Sequence, residues 1–194
     1  MLSKGNAGLW LKYNLPKSTL VSRLKARVAV FLALLILCIF ITMIGATSEI
    51  ESEEALKLSQ NLNDLREATK TVGFQVIFGN NFMHALIMFA PILGPCWGFY
   101  VLYNTGRFIA AVSALRRINP VLTFFVMFFF PFTWMEYISY ALAISESLFL
   151  AYSIFKRGLK AEFASASKLI VFCAALLLVA ALIEFHIISL LESS

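Results

Sequence analysis

The chain has little charge. Only 14% of its 194 residues are Asp, Glu, Lys or Arg, where a soluble domain carries about a quarter. Histidine (2) and cysteine (3) are also scarce. Cys38, Cys96 and Cys173 sit singly inside apolar runs, far apart in sequence. That pattern excludes a disulfide framework and a spaced thiolate zinc site, and it reads as small buried hydrophobes. His84 and His186 have no third ligand at suitable spacing, so no metal is expected. There is no phosphate loop, no G-x-G-x-x-G, no G-x-S-x-G and no H-E-x-x-H. No catalytic residue, no cofactor and no enzymatic activity are therefore expected.

What is present is hydrocarbon. Hydrophobic residues make up 60% of the chain, with 19 Phe, and the mean hydropathy is +0.83. The length suits one helical bundle. The net charge of +5 does not point to nucleic acid. The cations flank apolar runs, as membrane topology requires, and do not line a soluble face with interleaved aromatics.

Residues 1–27 are basic, with Lys4, Lys12, Lys17, Arg23, Lys25 and Arg27 and no acid. They read as a cytoplasmic segment lying on the anionic leaflet, with weak amphipathicity at 9–15. The first apolar run, 28–44, extends to about Thr47 and is long enough to span the ~30 Å hydrocarbon core. Residues 48–73 carry Glu49, Glu51, Glu53, Glu54, Asp64 and Glu67 against Lys57, Arg66 and Lys70. Ser48 and Glu51 have capping-box spacing. Ala55, Leu58, Leu62 and Leu65 recur at helical intervals, which predicts an amphipathic helix at about 49–70. It either lies on the bilayer or its own bundle, or offers a docking surface to an extracytoplasmic partner.

Residues 82–103 form the second apolar run. Pro91 and Pro95 predict a kink there, and Gly94 and Gly98 have the small-xxx-small spacing that lets helices pack closely. Residues 104–134 are broken by Asn104-Thr105-Gly106-Arg107, Asn119-Pro120 and Pro131. They form either one broken crossing at about 118–134 or a re-entrant pair. A further crossing follows at 135–155, then a basic loop of Lys156, Arg157, Lys160 and Lys168, and a last crossing at 169–191. The positive-inside rule then gives a multi-pass protein of the cell membrane. Its amino terminus is cytoplasmic, 48–73 is outside, 107–117 is inside and the carboxyl terminus is extracytoplasmic. Trp134, Tyr137 and Tyr140 are expected at the outer interface. The expected fold is an all-α polytopic transmembrane bundle of about five crossings, one domain over 28–191, with broken or re-entrant helices in the middle.

Within these runs Glu136, Glu146 and Glu184 stand out, because a charge at membrane depth costs roughly 2.5–3.5 kcal/mol on insertion scales. Glu136 lies near a helix start, where the dipole favours an anion. Glu146 is expected near mid-bilayer, on one helical face with Ser139, Ala143 and Ser147. His84, Asn80, Asn81, Asn104 and Arg107 are available partners. Such carboxylates either hold helices together by hydrogen bonding or carry protons or cations.

Several short motifs occur in order. Asn80-Asn81 opens the second run, Gly94-x-x-x-Gly98 lies within it and Tyr103-Asn104 closes it. Pro131-Phe132-Thr133-Trp134-Met135-Glu136 precedes the fourth crossing, and Ala180-Ala181-Leu182-Ile183-Glu184 lies near the end. Over about 28–190 this order resembles the stage II sporulation protein M family. The matching positions are Asn81, Gly94, Gly98, Asn104, Glu136 and Glu184. The chain departs from the family pattern at Thr105, where a turn glycine is usual, and at Phe132-Thr133, where His-Gly is usual. Ser145-Glu146-Ser147 replaces small apolar residues. The resemblance implies a multispanning scaffold without catalysis of its own. The sporulation member works with cell-wall hydrolases, but relatives occur where neither spores nor that wall exist. The partners implied are the lipid bilayer, other membrane proteins, an extracytoplasmic protein at 49–70 and a second copy of the chain. The competing reading is a small transporter or channel component using Glu136, Glu146 and Glu184.

Overall fold

The computed structural model describes residues 17–156 and 159–193; the 9–15 stretch lies outside them. Seven helices are present among the described residues, and no strand. They are α1 (Lys17–Ala46), α2 (Ser52–Val72), α3 (Phe74–Met88), α4 (Leu93–Arg116), α5 (Pro120–Met127), α6 (Pro131–Lys156) and α7 (Leu159–Ser193). Three are long and apolar enough to cross a membrane, over Leu24–Ala46, Pro131–Phe155 and Glu162–Leu191.

α6 is the centre of the bundle. More than half of its apolar window (56%) is buried, against 22% for α1 and 28% for α7. Its sequence explains this. Ser139, Ala141, Ala143, Ser145 and Ser147 are small and all buried, so neighbouring helices close onto it. Leu34 and Cys38 of α1, Ala85 and Met88 of α3, Leu102 of α4, and Cys173 and Leu177 of α7 complete the core around Tyr137, Tyr140 and Ile144.

Side-chain pairings fix the direction of each helix. The end of the bundle holding Arg27 is here the near end, and that holding Ala46 the far end. α1 runs from near to far. Arg27 meets Glu146, and Gly45 lies at Tyr103 and Gly106. α6 therefore runs from far to near. α4 runs from near to far, because Gly94 and Gly98 lie against Ser147 and Ile144 while Gly106 reaches Thr42 and Ala46. α7 also ends far, since Glu162 meets Arg27 near.

The second apolar run is therefore not one kinked helix. It folds back on itself between α3 and α4. Pro91 denies the helix a backbone donor, and Ile92 then takes φ 70°, ψ −48°. Leu93 N–H donates to Pro91 O at 2.8 Å, which closes a γ-turn, a strained conformation for a β-branched residue. The Ala90 carbonyl accepts from Gly94 N–H at 2.8 Å and from Ser147 Oγ at 2.6 Å, which ties the turn to α6.

The 104–107 break is also absent. α4 passes through it without interruption, because Asn104 Nδ2 and Thr105 Oγ1 donate to the carbonyls of Tyr100 and Val101 in their own helix. Residues 118–134 form no crossing. α5 is only 8 residues, about 12 Å, and stays at the far end, where Phe124 packs on Ala46 and Ile109. Asn119 caps it, accepting from Val121 N at 2.8 Å. Residues 107–117 lie with 48–73, since Arg107 bonds Glu54; the opposite placement expected for them is overturned.

Smaller expectations also change. Residues 17–27 are helical and continuous with the rest of α1. Ser48 donates to Gly45 O at 2.7 Å and closes α1, so no capping box forms and α2 begins at Ser52. Tyr137 and Tyr140 are buried in the core, and only Trp134 is exposed. In α2, Ala55 and Thr69 are buried while Leu65 is exposed.

Candidate functional site

The three carboxylates Glu136, Glu146 and Glu184 are not gathered into one site. They fall into two groups, with about 15 Å of α6 between Glu136 and Glu146 by helical rise.

At the near end Glu146 is almost fully enclosed, at 2% exposure. Its Oε2 accepts from Arg27 Nη1 at 2.7 Å. Arg27 Nη2 donates to Glu162 at the start of α7, and the guanidinium lies 4.4 Å from the Phe149 ring centroid. One cation thus ties three helices. Its planar fork suits two carboxylates at once, which a lysine would not. The other oxygen of Glu146, Oε1, is buried without a hydrogen-bond partner. Glu146 is not isolated, because it pairs with Arg27, the residue just before the first apolar run.

Toward the far end Asn81 Nδ2 of α3 donates to Glu136 Oε1 of α6. Glu184 of α7 lies within Coulombic reach of Glu136, and Tyr140 is beside both. Helix positions bring these together: α3 packs against both α6 and α7. Asn104 does not join them, and His186 is exposed. His84 lies against Trp97 with ring centroids 5.8 Å apart.

Gly94 and Gly98 are buried contact points. A Cβ on Gly94 would lie 2.6 Å from Ser147 Oγ, and one on Gly98 2.5 Å from Ile144 Cδ1. A second glycine pair, Gly45 and Gly106, brings α1 and α4 close together. A Cβ on Gly106 would lie 2.6 Å from the Ala46 nitrogen, and one on Gly45 3.1 Å from the Gly106 Cα.

Sequence reading missed Arg27, Glu162, Gly45 and Gly106. Arg27 was one cation among six in a basic segment, with nothing to mark it as a partner. Glu162 did carry a signal, as the single acid in the basic stretch 156–168. Gly45 and Gly106 lie on different helices, so no spacing within one helix relates them.

Among the described residues no group of three His, Cys, Asp or Glu is placed to hold a metal ion. Compared with protein-family models, curated proteins and solved structures, the chain matches none.

Proposed function

We propose that the chain is a multi-pass membrane scaffold or accessory subunit that holds other membrane or envelope proteins, with α2 as its outward-facing docking element. In this reading α1, α3, α4, α6 and α7 make five crossings and the near end is cytoplasmic. Charge placement supports that orientation. Residues 1–27 and 156–168 together hold 10 of the 16 cations and one acid, Glu162. The far-end segments, 48–73 and 107–117, balance six cations with six carboxylates.

The observation that carries the reading is that Glu146 and Glu136 are each held by a side chain of another helix. Glu146 is held by Arg27, and Glu136 by Asn81. The two groups lie apart, with about 15 Å of α6 between them and no ionised side chain on that stretch, where Ser139 bonds back to the Met135 carbonyl. That arrangement serves as interhelical glue. A conducting path would need the carboxylates in series. The pairing of Asn81 with Glu136 also joins two of the positions on which the likeness to stage II sporulation protein M rests.

α2 supplies the docking surface. It buries only Ala55 and Thr69, and it leaves Glu53, Asp64 and Arg66 exposed. The test is purification of the tagged full chain from its native membrane in mild detergent, beside a Glu53→Lys/Asp64→Lys variant. Partners at stoichiometric level that are lost in the variant fit the reading. A chain recovered free of other proteins in both cases would overturn it.

A further inference from the structure

The exposed helix faces differ in one respect. In α1 the outward positions include Val28, Leu32, Ile36, Phe40 and Ile44, and in α7 Val171, Phe172, Val179 and Leu182. All are hydrocarbon, as a surface facing acyl chains requires. The outward face of α3 is not. Gly79, Asn80 and Met83 are exposed along it. Asn80 is the seventh residue of α3, about 9 Å along the helix from its start, next to the residue that bonds Glu136. The polar contact its amide makes is a long 3.4 Å bond to Asn81 Oδ1. The Asn81 amide nitrogen is itself committed to Glu136. An amide left against hydrocarbon without partners is unfavourable. Beside it, a Cβ built on Gly79 meets nothing within 4 Å, so a second backbone has room to approach there.

We propose that α3 packs against α3 of a second copy of this chain, about a two-fold axis passing near Asn80. A carboxamide holds one acceptor and one donor group, so it is complementary to itself. Across a two-fold axis each Nδ2 donates to the other Oδ1, and both amides are satisfied at once. The exposed positions of this face carry no ionisable group, and His84 at its edge lies against Trp97 of the same chain, so two copies meet without repulsion. Gly79 lets the helices come close enough for the amides to reach. A single asparagine in an apolar helix interface also fixes register. This pairing leaves α2 and the near-end ion cluster free; it rests on the reading that α3 crosses the bilayer, and not on α2 docking a partner.

The test uses the full chain in its native membrane. Cys96, the exposed thiol, is replaced by Ser, and single cysteines are placed at Met83, which leaves the Asn80 amide intact, and, on α1, at Ile36. Mild oxidation is expected to convert most of the Met83→Cys chains to a product of twice the 21.7 kDa chain mass, with under a tenth of Ile36→Cys converted. Asn80→Leu is expected to shift the detergent-solubilised chain from dimer to monomer by light scattering, with its helical circular dichroism unchanged. Three results would each overturn the proposal. The Met83→Cys chain could stay monomeric. It could cross-link only to a different protein, which would make that protein's helix the occupant. Ile36→Cys could cross-link equally, which would mean random collision.

Discussion

Removal of the Arg27 side chain should expose how the near end is held together. Arg27→Met keeps most of the apolar stem and deletes the fork that binds Glu146 and Glu162. Glu146 would then lie at 2% exposure without the guanidinium that holds it, either as an unpaired charge or as a neutral acid. Breaking a buried ion pair by removing one partner costs about 3–5 kcal/mol. Arg27 is itself 29% exposed and Glu162 25%, so water reaches part of the cluster and reduces the loss to about 2–3 kcal/mol. The double variant Arg27→Met/Glu146→Leu removes both charges and should return to within about 1 kcal/mol of the parent. Glu162→Gln, at the wetter side, should cost under about 1 kcal/mol. The assay is reversible unfolding in mixed micelles, followed by circular dichroism and analysed as a double-mutant cycle. If Arg27→Met matched the parent, or the double variant were as unstable as the single one, the ion cluster would not be holding α1, α6 and α7.

Other substitutions separate the contacts by what must move. Gly106→Ala should destabilise by about 3 kcal/mol, because its Cβ meets backbone at Ala46. Gly98→Ala meets the flexible end of Ile144 and should cost about 1 kcal/mol in the same unfolding assay. Asn81→Leu removes a hydrogen bond to a carboxylate and should cost about 1.5–3 kcal/mol, whereas in a Glu136→Leu background the same change should be near neutral. Ile92→Gly relieves the positive φ of the turn between α3 and α4 and should raise stability by about 1 kcal/mol, since Ile92 is 60% exposed and loses little packing.

Much of the bundle was legible because hydrophobicity is a one-dimensional property. Residues 28–44 and 169–191 read as spanning segments, and both lie within the apolar spans of α1 and α7. The division of 82–134 was not legible. Pro91 signals either a kink or a reversal, and the choice is made by Ile92 taking a conformation that sequence disfavours and by Ser147, more than fifty residues away, bonding the Ala90 carbonyl. Asn104-Thr105-Gly106-Arg107 looks like a turn, yet each polar group finds a partner within the helix or on α2. Gly106 is there because α1 presses against it. Because the reversal was missed, 107–117 was placed at the wrong end of the bundle. For the carboxylates, residue type alone identified Glu136, Glu146 and Glu184 as unusual. Which ones pair, and with what, depends on helix direction, and Arg27 becomes a candidate for Glu146 only once α6 is known to run against α1.

The most direct test is the sidedness of the loops in the native membrane. In a chain with Cys38, Cys96 and Cys173 replaced, single cysteines at Asp64, Ile118 and Lys168 would be labelled with an impermeant maleimide before and after permeabilisation. Five crossings with the described helix directions predict that positions 64 and 118 label in intact cells and position 168 only after permeabilisation. Labelling of 118 together with 168, and apart from 64, would contradict the fold directions and with them the placement of α2 as an outward docking helix.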